Sequence, residues 1–276
     1  MKFRAACIQT NTGADVAANL AAACDLVRRA RDDGADLIAL PETCNVMESN
    51  KQNLLSKVGP EADNPVLQAY KDLARQTGAW ILLGSLVIKD DKAGKMANRS
   101  FLIDNDGSVR ARYDKVHMFD VNLGGAEDHR ESNHYQAGTE AVLASTPWCQ
   151  LGMTICYDLR FADQFRMLAH GGAKVIATPS AFTRISGQAH WHILQRARAI
   201  ETACFVIAPA QCGDHPGNRQ TYGHSLIIDP WGNILADGGD QPGFIAAHID
   251  LSLVDEARRK IPALSHDRET DLIKYS

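Results

Sequence analysis

"TICYDLRF", residues 154–161, ends an apolar run at one cysteine and continues at once with charged and aromatic side chains. The residues "LGMTI" (151–155) predict a short buried strand, and "FADQFRMLAHGG" (161–172) predicts a helix that ends in glycine. Cys156 therefore lies at a strand-to-helix turn, at the carboxyl end of a strand, where open α/β folds bind ligands. A cysteine in such a place is more often an inert buried residue than a nucleophile, so the rest of the chain must decide its role.

Strand and helix patterns on either side of this turn occur in the same order twice. The first half predicts strand 3–10, a helix along the apolar stripe 16–30, strand 36–40, helix 64–78, strand 80–88 and a hairpin that turns at 105–107. The second half predicts strand 151–155, helix 161–172, strand 173–179, helix 187–204, strand 205–210, a hairpin that turns at 230–232 and a last strand 243–250. The repeated order β-α-β-α-β-β-β predicts an α/β fold in which helices are layered on sheets.

The composition is that of a globular protein with a substantial core. The chain has 276 residues, of which 45% are hydrophobic, and no low-complexity linker separates its halves. We therefore expect a single domain over residues 1–276. The net charge of −4 gives no basic field for nucleic acid or anionic lipid, and we expect neither partner. The longest strongly apolar stretch, 79–88, is about half of the roughly 20 residues that a membrane helix needs, and the N-terminus has no signal-peptide pattern.

Seven cysteines are scattered along the chain, and no two of them have Cys-x-x-Cys spacing. The odd number and the wide spacing argue against a disulfide framework and against a zinc ribbon. Reduced thiols in an enzyme of the cytosol fit this pattern better, so we expect a cytoplasmic protein.

A carboxylate, an amine and a thiol each follow the end of a separate predicted strand. Glu42 follows strand 36–40, Lys115 follows the second strand of the first hairpin, and Cys156 follows its own strand. A thiol needs a base to become a nucleophile, and Glu42 can accept its proton. Lys115 and the backbone N–H of Tyr157 can stabilise charge on a carbonyl oxygen. The set suits attack on an amide or nitrile carbon, a thioester and its hydrolysis. From the residues alone, solvated or structural roles stay equally open.

Three motifs around these residues resemble the nitrilase superfamily of carbon–nitrogen hydrolases. The motifs are "LPET" (40–43), "YDKVHMFD" (113–120) and "ICYDLRF" (155–161). The resemblance runs from about residue 3 to 265. It implies a Glu-Lys-Cys triad and a second glutamate, found in "RESNHYQAG", that positions the lysine and the substrate. The catalytic residues that it implies are Glu42, Lys115, Cys156 and Glu131.

The resemblance also implies a fold and an assembly. The family fold is an α-β-β-α sandwich, with two β-sheets covered by helices, and it commonly forms a homodimer or a higher homo-oligomer. One departure lies after "RF", where the family's usual Pro-Glu is replaced by Ala162-Asp163. The proline normally opens the following helix, so its loss affects the fine geometry of the turn and not the chemistry.

Further motifs resemble the branch of amidases that act on amides of 2-oxo acids. These are "PSAF" (179–182), "AHWHILQRARAIET" (189–202) and "YGHSLIIDPWG" (222–232). "APAQCG" (208–213) and "ESN" (131–133) are more similar to deaminated-glutathione amidases than to ω-amidases. The implied substrate is the 5-amide of a 2-oxoglutarate-type acid such as deaminated glutathione.

Other functions stay open beside this one. An ω-amidase acting on 2-oxoglutaramate or 2-oxosuccinamate, an N-carbamoyl amino acid hydrolase and a nitrilase belong to the same chemistry. A non-catalytic binding or scaffold protein of the same family is the alternative from another class, and the intact Glu-Lys-Cys set argues against it. A redox enzyme or dehydrogenase is disfavoured, since no glycine-rich dinucleotide loop follows an early strand.

The remaining candidates concern binding and electrostatics. Three arginines can grip a substrate carboxylate through paired hydrogen bonds: Arg160, Arg184 and Arg219. Burial should raise the pKa of Glu42 toward neutrality, while Lys115 should stay cationic. His190 and His192 are two residues apart on a predicted helix and so point to different faces, and Glu201 fits a structural carboxylate. We therefore expect no metal ion and no cofactor.

Overall fold

Two six-stranded mixed β-sheets lie face to face at the centre of the fold, and helices cover their outer faces. This computed structural model describes residues 1–90, 94–122 and 129–275. In spatial order, the first sheet consists of β16 (Gly243–Asp250), β1 (Lys2–Gln9), β2 (Leu37–Ala39), β3 (Trp80–Asp90), β4 (Lys95–Ile103) and β5 (Val109–Asp114). The second consists of β15 (Ile234–Asp237), β14 (Leu226–Ile228), β11 (Phe205–Ala208), β10 (Ala173–Ala177), β9 (Gln150–Met153) and β8 (Val142–Ser145).

Six α-helices, several short 3-10 helices and two small strand pairs complete the described chain. The helices are α1 (Val16–Asp32), α2 (Lys51–Lys57), α3 (Pro65–Thr77), α4 (Ala162–His170), α5 (Arg184–Thr202) and α6 (Ser252–Lys260). The strand pairs are β6 (Asp120–Val121) with β7 (His129–Arg130), and β12 (Cys212–His215) with β13 (Arg219–Tyr222). Helices α1 and α3 pack on the first sheet, and α4 and α5 pack on the second.

Strand β1 shows how the layers arise from side-chain alternation. Ala5 and Cys7 belong to the core between the two sheets, whereas Ala6 and Ile8 belong to the core under α1 and α3. Successive side chains of a strand point to opposite faces, so a strand that is buried on both faces reads as a continuous apolar run. The predicted α-β-β-α sandwich is confirmed.

The doubled element order corresponds to two sheets of the same design. In each sheet three parallel strands, β1-β2-β3 or β9-β10-β11, are followed by two antiparallel ones, β4-β5 or β14-β15. Each sheet then gains an antiparallel strand beside its first strand, β16 beside β1 and β8 beside β9. The pattern predicted 243–250 as the last strand of the second half. It lies in the first sheet, where it pairs with β1 from Lys2 opposite Asp250 to Gln9 opposite Gly243.

Capping residues close in sequence determine where helices α3 and α5 begin and where α3 ends. Asn64 accepts hydrogen bonds from the N–H groups of Val66 and Leu67 at the start of α3, and Gly78 ends that helix with φ of 65°. Helix α5 begins earlier than its apolar pattern predicted, because the Thr183 side chain caps it by accepting from the N–H of Ser186. The elements without a sequence prediction are short or polar: α2, α6, β6, β7, β8, β12 and β13. Among the described residues, no helix combines the length and the apolar character that crossing a membrane requires.

A close backbone approach at Gly84 holds the strand end that carries Glu42. A Cβ atom at this position would lie 1.9 Å from the Leu40 carbonyl oxygen and 2.4 Å from that of Pro41. The next residue fixes the same turn, because the Ser85 hydroxyl oxygen accepts a hydrogen bond of 2.8 Å from the N–H of Thr43. Only glycine allows β3 to pass this close to the chain before Glu42.

Gly84→Ala should therefore destabilise the fold. We expect the free energy of unfolding to fall by about 1–3 kcal/mol, because the new methyl group forces the backbone at 40–41 to move. Gly59→Ala is the matched control, since a Cβ there meets nothing within 4 Å, and its effect should stay within ~0.5 kcal/mol. Urea denaturation followed by circular dichroism measures both variants, and equal effects would contradict the steric argument.

Candidate active site

The three predicted strand-end residues line one cavity at the edge where the two sheets meet. Glu42 follows β2, Lys115 follows β5 and Cys156 follows β9, so the first two come from one sheet and the third from the other. The cavity has a volume of about 430 Å³, and Glu131 also lines it. All four residues predicted as catalytic thus lie around one space.

Lys115 lies at the centre of the charged groups. Its Nζ donates hydrogen bonds of 2.9 Å to Glu42 Oε1 and to Glu131 Oε2, and one of 3.1 Å to Glu131 Oε1. The lysine is 2% exposed. Burial alone would lower its pKa, but the carboxylates of Glu131 and Glu42 outweigh burial and raise the pKa well above the usual value. Lys115 is therefore a cation, as predicted.

The Glu42 carboxylate is held by three donors. Besides the ammonium, Asn98 Nδ2 donates to its Oε1 at 2.8 Å and the backbone N–H of Ala181 donates to its Oε2 at 2.8 Å. Burial acts to raise the pKa of Glu42, but the positive charge and hydrogen bond of Lys115 outweigh it, and the pKa is lowered. The prediction of a pKa raised toward neutrality was wrong, because it counted burial without the cation. Glu42 is ionised at neutral pH.

Cys156 lies beside this carboxylate in a constrained backbone conformation. Its φ is 49°, which is uncommon for a residue with a side chain, and its N–H donates to the carbonyl oxygen of Pro179 at 2.9 Å. Burial and the hydrogen-bonded carboxylate of Glu42 raise the pKa of the Cys156 thiol, and the nearby Lys115 opposes them only in part. The resting pair is thus a neutral thiol next to an ionised carboxylate. Tyr157 lies in the first turn of a 3-10 helix, where backbone N–H groups lack acceptors within the helix.

Asp158 is a buried residue that the sequence prediction missed. Its Oδ2 accepts from the Ile155 N–H at 2.8 Å and from the Tyr113 hydroxyl at 2.6 Å. Its Oδ1 accepts from the His117 N–H at 3.0 Å and lies 2.7 Å from Nδ1 of the same histidine. This one carboxylate ties the turn that carries the thiol to the segment around Lys115. The signal in the sequence was an acidic residue two positions after the cysteine, inside the predicted strand-to-helix turn.

Glu131 reaches the cavity from the long segment between β5 and β8. It begins a 3-10 turn after β7, and its Oε2 accepts a hydrogen bond of 2.6 Å from the N–H of Phe119. His134 and Tyr135 of the same segment also line the cavity. Residues 123–128 of the segment lie outside the described residues.

The three candidate arginines are placed differently. Arg219 lines the cavity, its Nη2 donates to the Ala181 carbonyl oxygen at 3.0 Å, and its buried Nε has no hydrogen-bond partner within the described ranges. Arg160 packs over two aromatic rings, and Arg184 lies 3.5 Å from Asp214. In the part of the chain that the structure describes, neither of these two lines the cavity.

The other candidates lie outside the cavity. His190 Nδ1 lies 3.4 Å from the Arg160 guanidinium, whereas His192 Nε2 lies 3.0 Å from Asp237, so the two histidines face different neighbours. Glu201 accepts a hydrogen bond of 2.9 Å from Arg198 on the same helix. All seven cysteines lie in the described ranges, and none of them forms a disulfide.

Comparison with known proteins identifies the family of the chain. Residues 4–259 match the carbon–nitrogen hydrolase family. The chain is 38% identical over 239 residues to deaminated glutathione amidase of Yersinia enterocolitica, covering 86% of this chain and 83% of that protein. It is 38% identical over 268 residues to the enzyme of that name from Bos taurus, covering 96% and 81%.

Solved structures of similar proteins have the same fold as this chain. The NitFhit protein of Caenorhabditis elegans superposes with a TM-score of 0.91 at 38% identity, over 97% of this chain. This chain spans 65% of the length of NitFhit. Nit3 of Saccharomyces cerevisiae, described as a member of branch 10 of the nitrilase superfamily, superposes with a TM-score of 0.86 at 29% identity, covering 95% of this chain and 94% of that one. The family predicted from the three motifs is confirmed: the chain belongs to the carbon–nitrogen hydrolases of the nitrilase superfamily.

Proposed function

We propose that the protein hydrolyses a linear amide through a thioester, with Cys156 as the nucleophile, Glu42 as the general base and Lys115 as the charge-stabilising group. The observation that carries this proposal is the shared ammonium: Lys115 Nζ lies 2.9 Å from both Glu42 and Glu131, beside the thiol and inside one cavity. Glu131 accepts hydrogen bonds from Lys115 and holds its ammonium in place, so its proposed role is to position the lysine.

The proposed reaction begins with attack of the sulfur on the amide carbon. As the S–C bond forms, the thiol proton passes to Glu42, and the carbonyl oxygen gains a negative charge that Lys115 and the Tyr157 N–H stabilise. Glu42 then gives its proton to the leaving nitrogen, the C–N bond breaks, and a thioester with Cys156 is left. Glu42 next takes a proton from water as the oxygen attacks the thioester carbon. The S–C bond then breaks, Glu42 returns the proton to the sulfur, and the acid leaves. Side chains and water suffice for these steps.

We assign the substrate class from the names of the similar proteins and from the position of Arg219. Relatives about 38% identical to this chain carry the name deaminated glutathione amidase, so we assign the 5-amide of a 2-oxoglutarate-type acid, with deaminated glutathione as the first choice. Such an acid carries a carboxylate. Of the three candidate arginines, Arg219 alone lines the cavity, and its buried Nε has no hydrogen-bond partner in the described ranges, so we assign it to that carboxylate in preference to Arg160 and Arg184.

A substrate panel tests the function. We expect kcat/KM for deaminated glutathione to exceed that for 2-oxoglutaramate, N-carbamoyl amino acids and simple nitriles by roughly tenfold or more, because its cysteinylglycine group offers binding contacts that the smaller substrates lack. Release of cysteinylglycine or ammonia is measured, with Cys156→Ala as the inactive control. An ω-amidase would instead favour 2-oxoglutaramate, and a non-catalytic scaffold protein would turn over nothing.

Arg219→Gln refines this test within the same panel. Loss of the guanidinium should raise KM for the 2-oxo acid amides by roughly 10–100-fold with a smaller change in kcat, because a charged hydrogen-bonding partner is removed. A simple amide without a carboxylate serves as the comparison substrate. An equal loss on that amide would mean that Arg219 holds the cavity together and does not select the substrate.

Glu42→Gln should separate the base from the nucleophile. We expect kcat to fall by roughly 10²–10⁴-fold, because the proton acceptor is gone. The pKa of Cys156 should fall at the same time, since the carboxylate that raises it is removed while Lys115 remains. The pH dependence of iodoacetamide alkylation, followed on the peptide that contains Cys156, measures this pKa. Glu201→Gln on α5 is the matched control, and an unchanged or higher thiol pKa in Glu42→Gln would contradict the assigned electrostatics.

We also infer a homodimer or higher homo-oligomer that forms through α5. Ile193 and Ile200 lie two helical turns apart on one face of this helix and are 69% and 54% exposed, and Trp231, which lines a surface pocket together with Ile200, is 53% exposed. Contiguous exposed apolar side chains of this size mark interfaces. Ile193→Asp should dissociate the oligomer in sedimentation velocity, and a wild-type chain that sediments as a monomer would exclude this assembly.

Two further inferences concern the whole chain. Residues 1–276 form one folding unit in our proposal, because β16 near the end pairs along the full length of β1 at the start. Seven unpaired cysteines suit a reducing compartment, and we assign the protein to the cytoplasm. Cell fractionation measures the location.

A further inference from the structure

Three possible metal ligands meet at the surface, away from the catalytic cavity. His192 comes from α5, His224 follows β13, and Asp237 ends β15. His192 Nε2 lies 3.0 Å from Asp237 Oδ2, and His224 Nδ1 lies 2.8 Å from Asp237 Oδ1. The two imidazole rings are 5.0 Å apart, and none of the three residues lines the cavity.

The backbone around His224 holds this cluster in place. His224 has φ of 54°, and its N–H donates to the Gly239 carbonyl oxygen. Its own carbonyl oxygen accepts a hydrogen bond of 2.7 Å from Trp191 Nε1, next to His192 on α5. Its ring stacks on Tyr222 with the centroids 4.5 Å apart. The N–H of Gly239 also donates to Asp237 Oδ1 at 2.9 Å, so one turn orients both the carboxylate and the histidine. Ligand atoms that are oriented in advance favour metal binding.

The donor set and its spacing suit a zinc-like ion. Two neutral imidazole nitrogens and one carboxylate oxygen, completed by water, are a common ligand set for Zn²⁺. Bonds of about 2.0–2.2 Å place the donors of a tetrahedral site about 3.3–3.6 Å apart. The two nitrogen–oxygen distances, 3.0 and 2.8 Å, run to different oxygens of Asp237, and one ligand atom from each of the three residues lies within 4.8 Å of the other two. Rotation of two partly exposed rings closes the remaining gap.

The three candidate ligands are open to solvent. The side chains of the two histidines and of the aspartate are between 27% and 34% exposed, so an ion can reach them from solvent.

We propose that His192, His224 and Asp237 bind one divalent transition-metal ion of the Zn²⁺ class, which fastens α5 to the strand pair β14–β15. The site is separate from the proposed amidase chemistry and does not depend on it. Without metal the same three side chains form a hydrogen-bonded network, in which each imidazole donates to the carboxylate. Metal affinity distinguishes the two possibilities. A bound ion is held by both histidine nitrogens and the carboxylate, so loss of either histidine should weaken metal binding.

Metal titration of the full chain tests the proposal. All proteins carry Cys156→Ala, so that the cavity thiol does not take up the ion. Equilibrium dialysis with Zn²⁺ should give one ion per chain. His192→Gln, His224→Gln and Asp237→Asn should each weaken binding at least ~10-fold, because each removes one ligand. His190→Gln, two residues away on the same helix, is the matched control and should bind as the parent does.

Two further measurements keep the test independent of folding and of activity. Co²⁺ bound in the parent should give visible absorption typical of four-coordinate cobalt, and His192→Gln should lose it while its metal-free melting temperature stays close to that of the control. Zn²⁺ should raise the melting temperature of the parent and of His190→Gln only, because a ligand that binds the native state stabilises it. Absence of binding, or equal binding in all variants, would overturn the site; the second result would assign the ion to one of the remaining thiols.

Discussion

The contact on which the rest of the site depends is the buried ammonium of Lys115 between two carboxylates. Charged groups are costly to bury unless they are paired and hydrogen-bonded. Two carboxylates against one ammonium leave an excess negative charge, which Asn98 and the backbone N–H groups of Ala181 and Phe119 help to satisfy. These donors come from β4, from the chain after β10 and from the segment after β5. The charged centre can therefore form only when both sheets are assembled.

The repeated design of the two sheets explains how these groups come together. The strand β2 leads into "LPET" (40–43), and its counterpart β10 leads into "TPSA" (178–181). In the second copy a serine stands where the first has Glu42, so this end of β10 contributes backbone groups instead of a side chain. The Pro179 carbonyl oxygen accepts from the N–H of Cys156, and the Ala181 N–H donates to Glu42. The second copy thus holds both the nucleophile and the base of the proposed mechanism.

Much of this arrangement was predictable from the sequence because it depends on local signals. Strand-end positions follow from apolar runs that stop at polar residues, and the motifs around Glu42, Lys115 and Cys156 identified the family. Properties set by distant partners were not predictable. The pKa of Glu42 depends on an ammonium brought by another strand, and the place of β16 depends on pairing with the opposite end of the chain. Likewise, the sequence of α5 alone showed no second metal ligand near His192. Its neighbours His224 and Asp237 are distant in sequence and come close only in the folded protein.

The electrostatics of the cavity also determine when the thiol becomes reactive. If Cys156 lost its proton in the resting site, the cavity would hold a thiolate beside the carboxylates of Glu42 and Glu131, with Lys115 as the ammonium in contact with them. Burial and the neighbouring carboxylate both oppose that state, which is why the thiol pKa is raised. A substrate carbonyl removes the obstacle, because the charge that would lie on sulfur passes to an oxygen near Lys115 as the bond forms. In the proposed mechanism, proton transfer to Glu42 is therefore coupled to attack, and the buried thiol stays neutral until an amide carbon is in place.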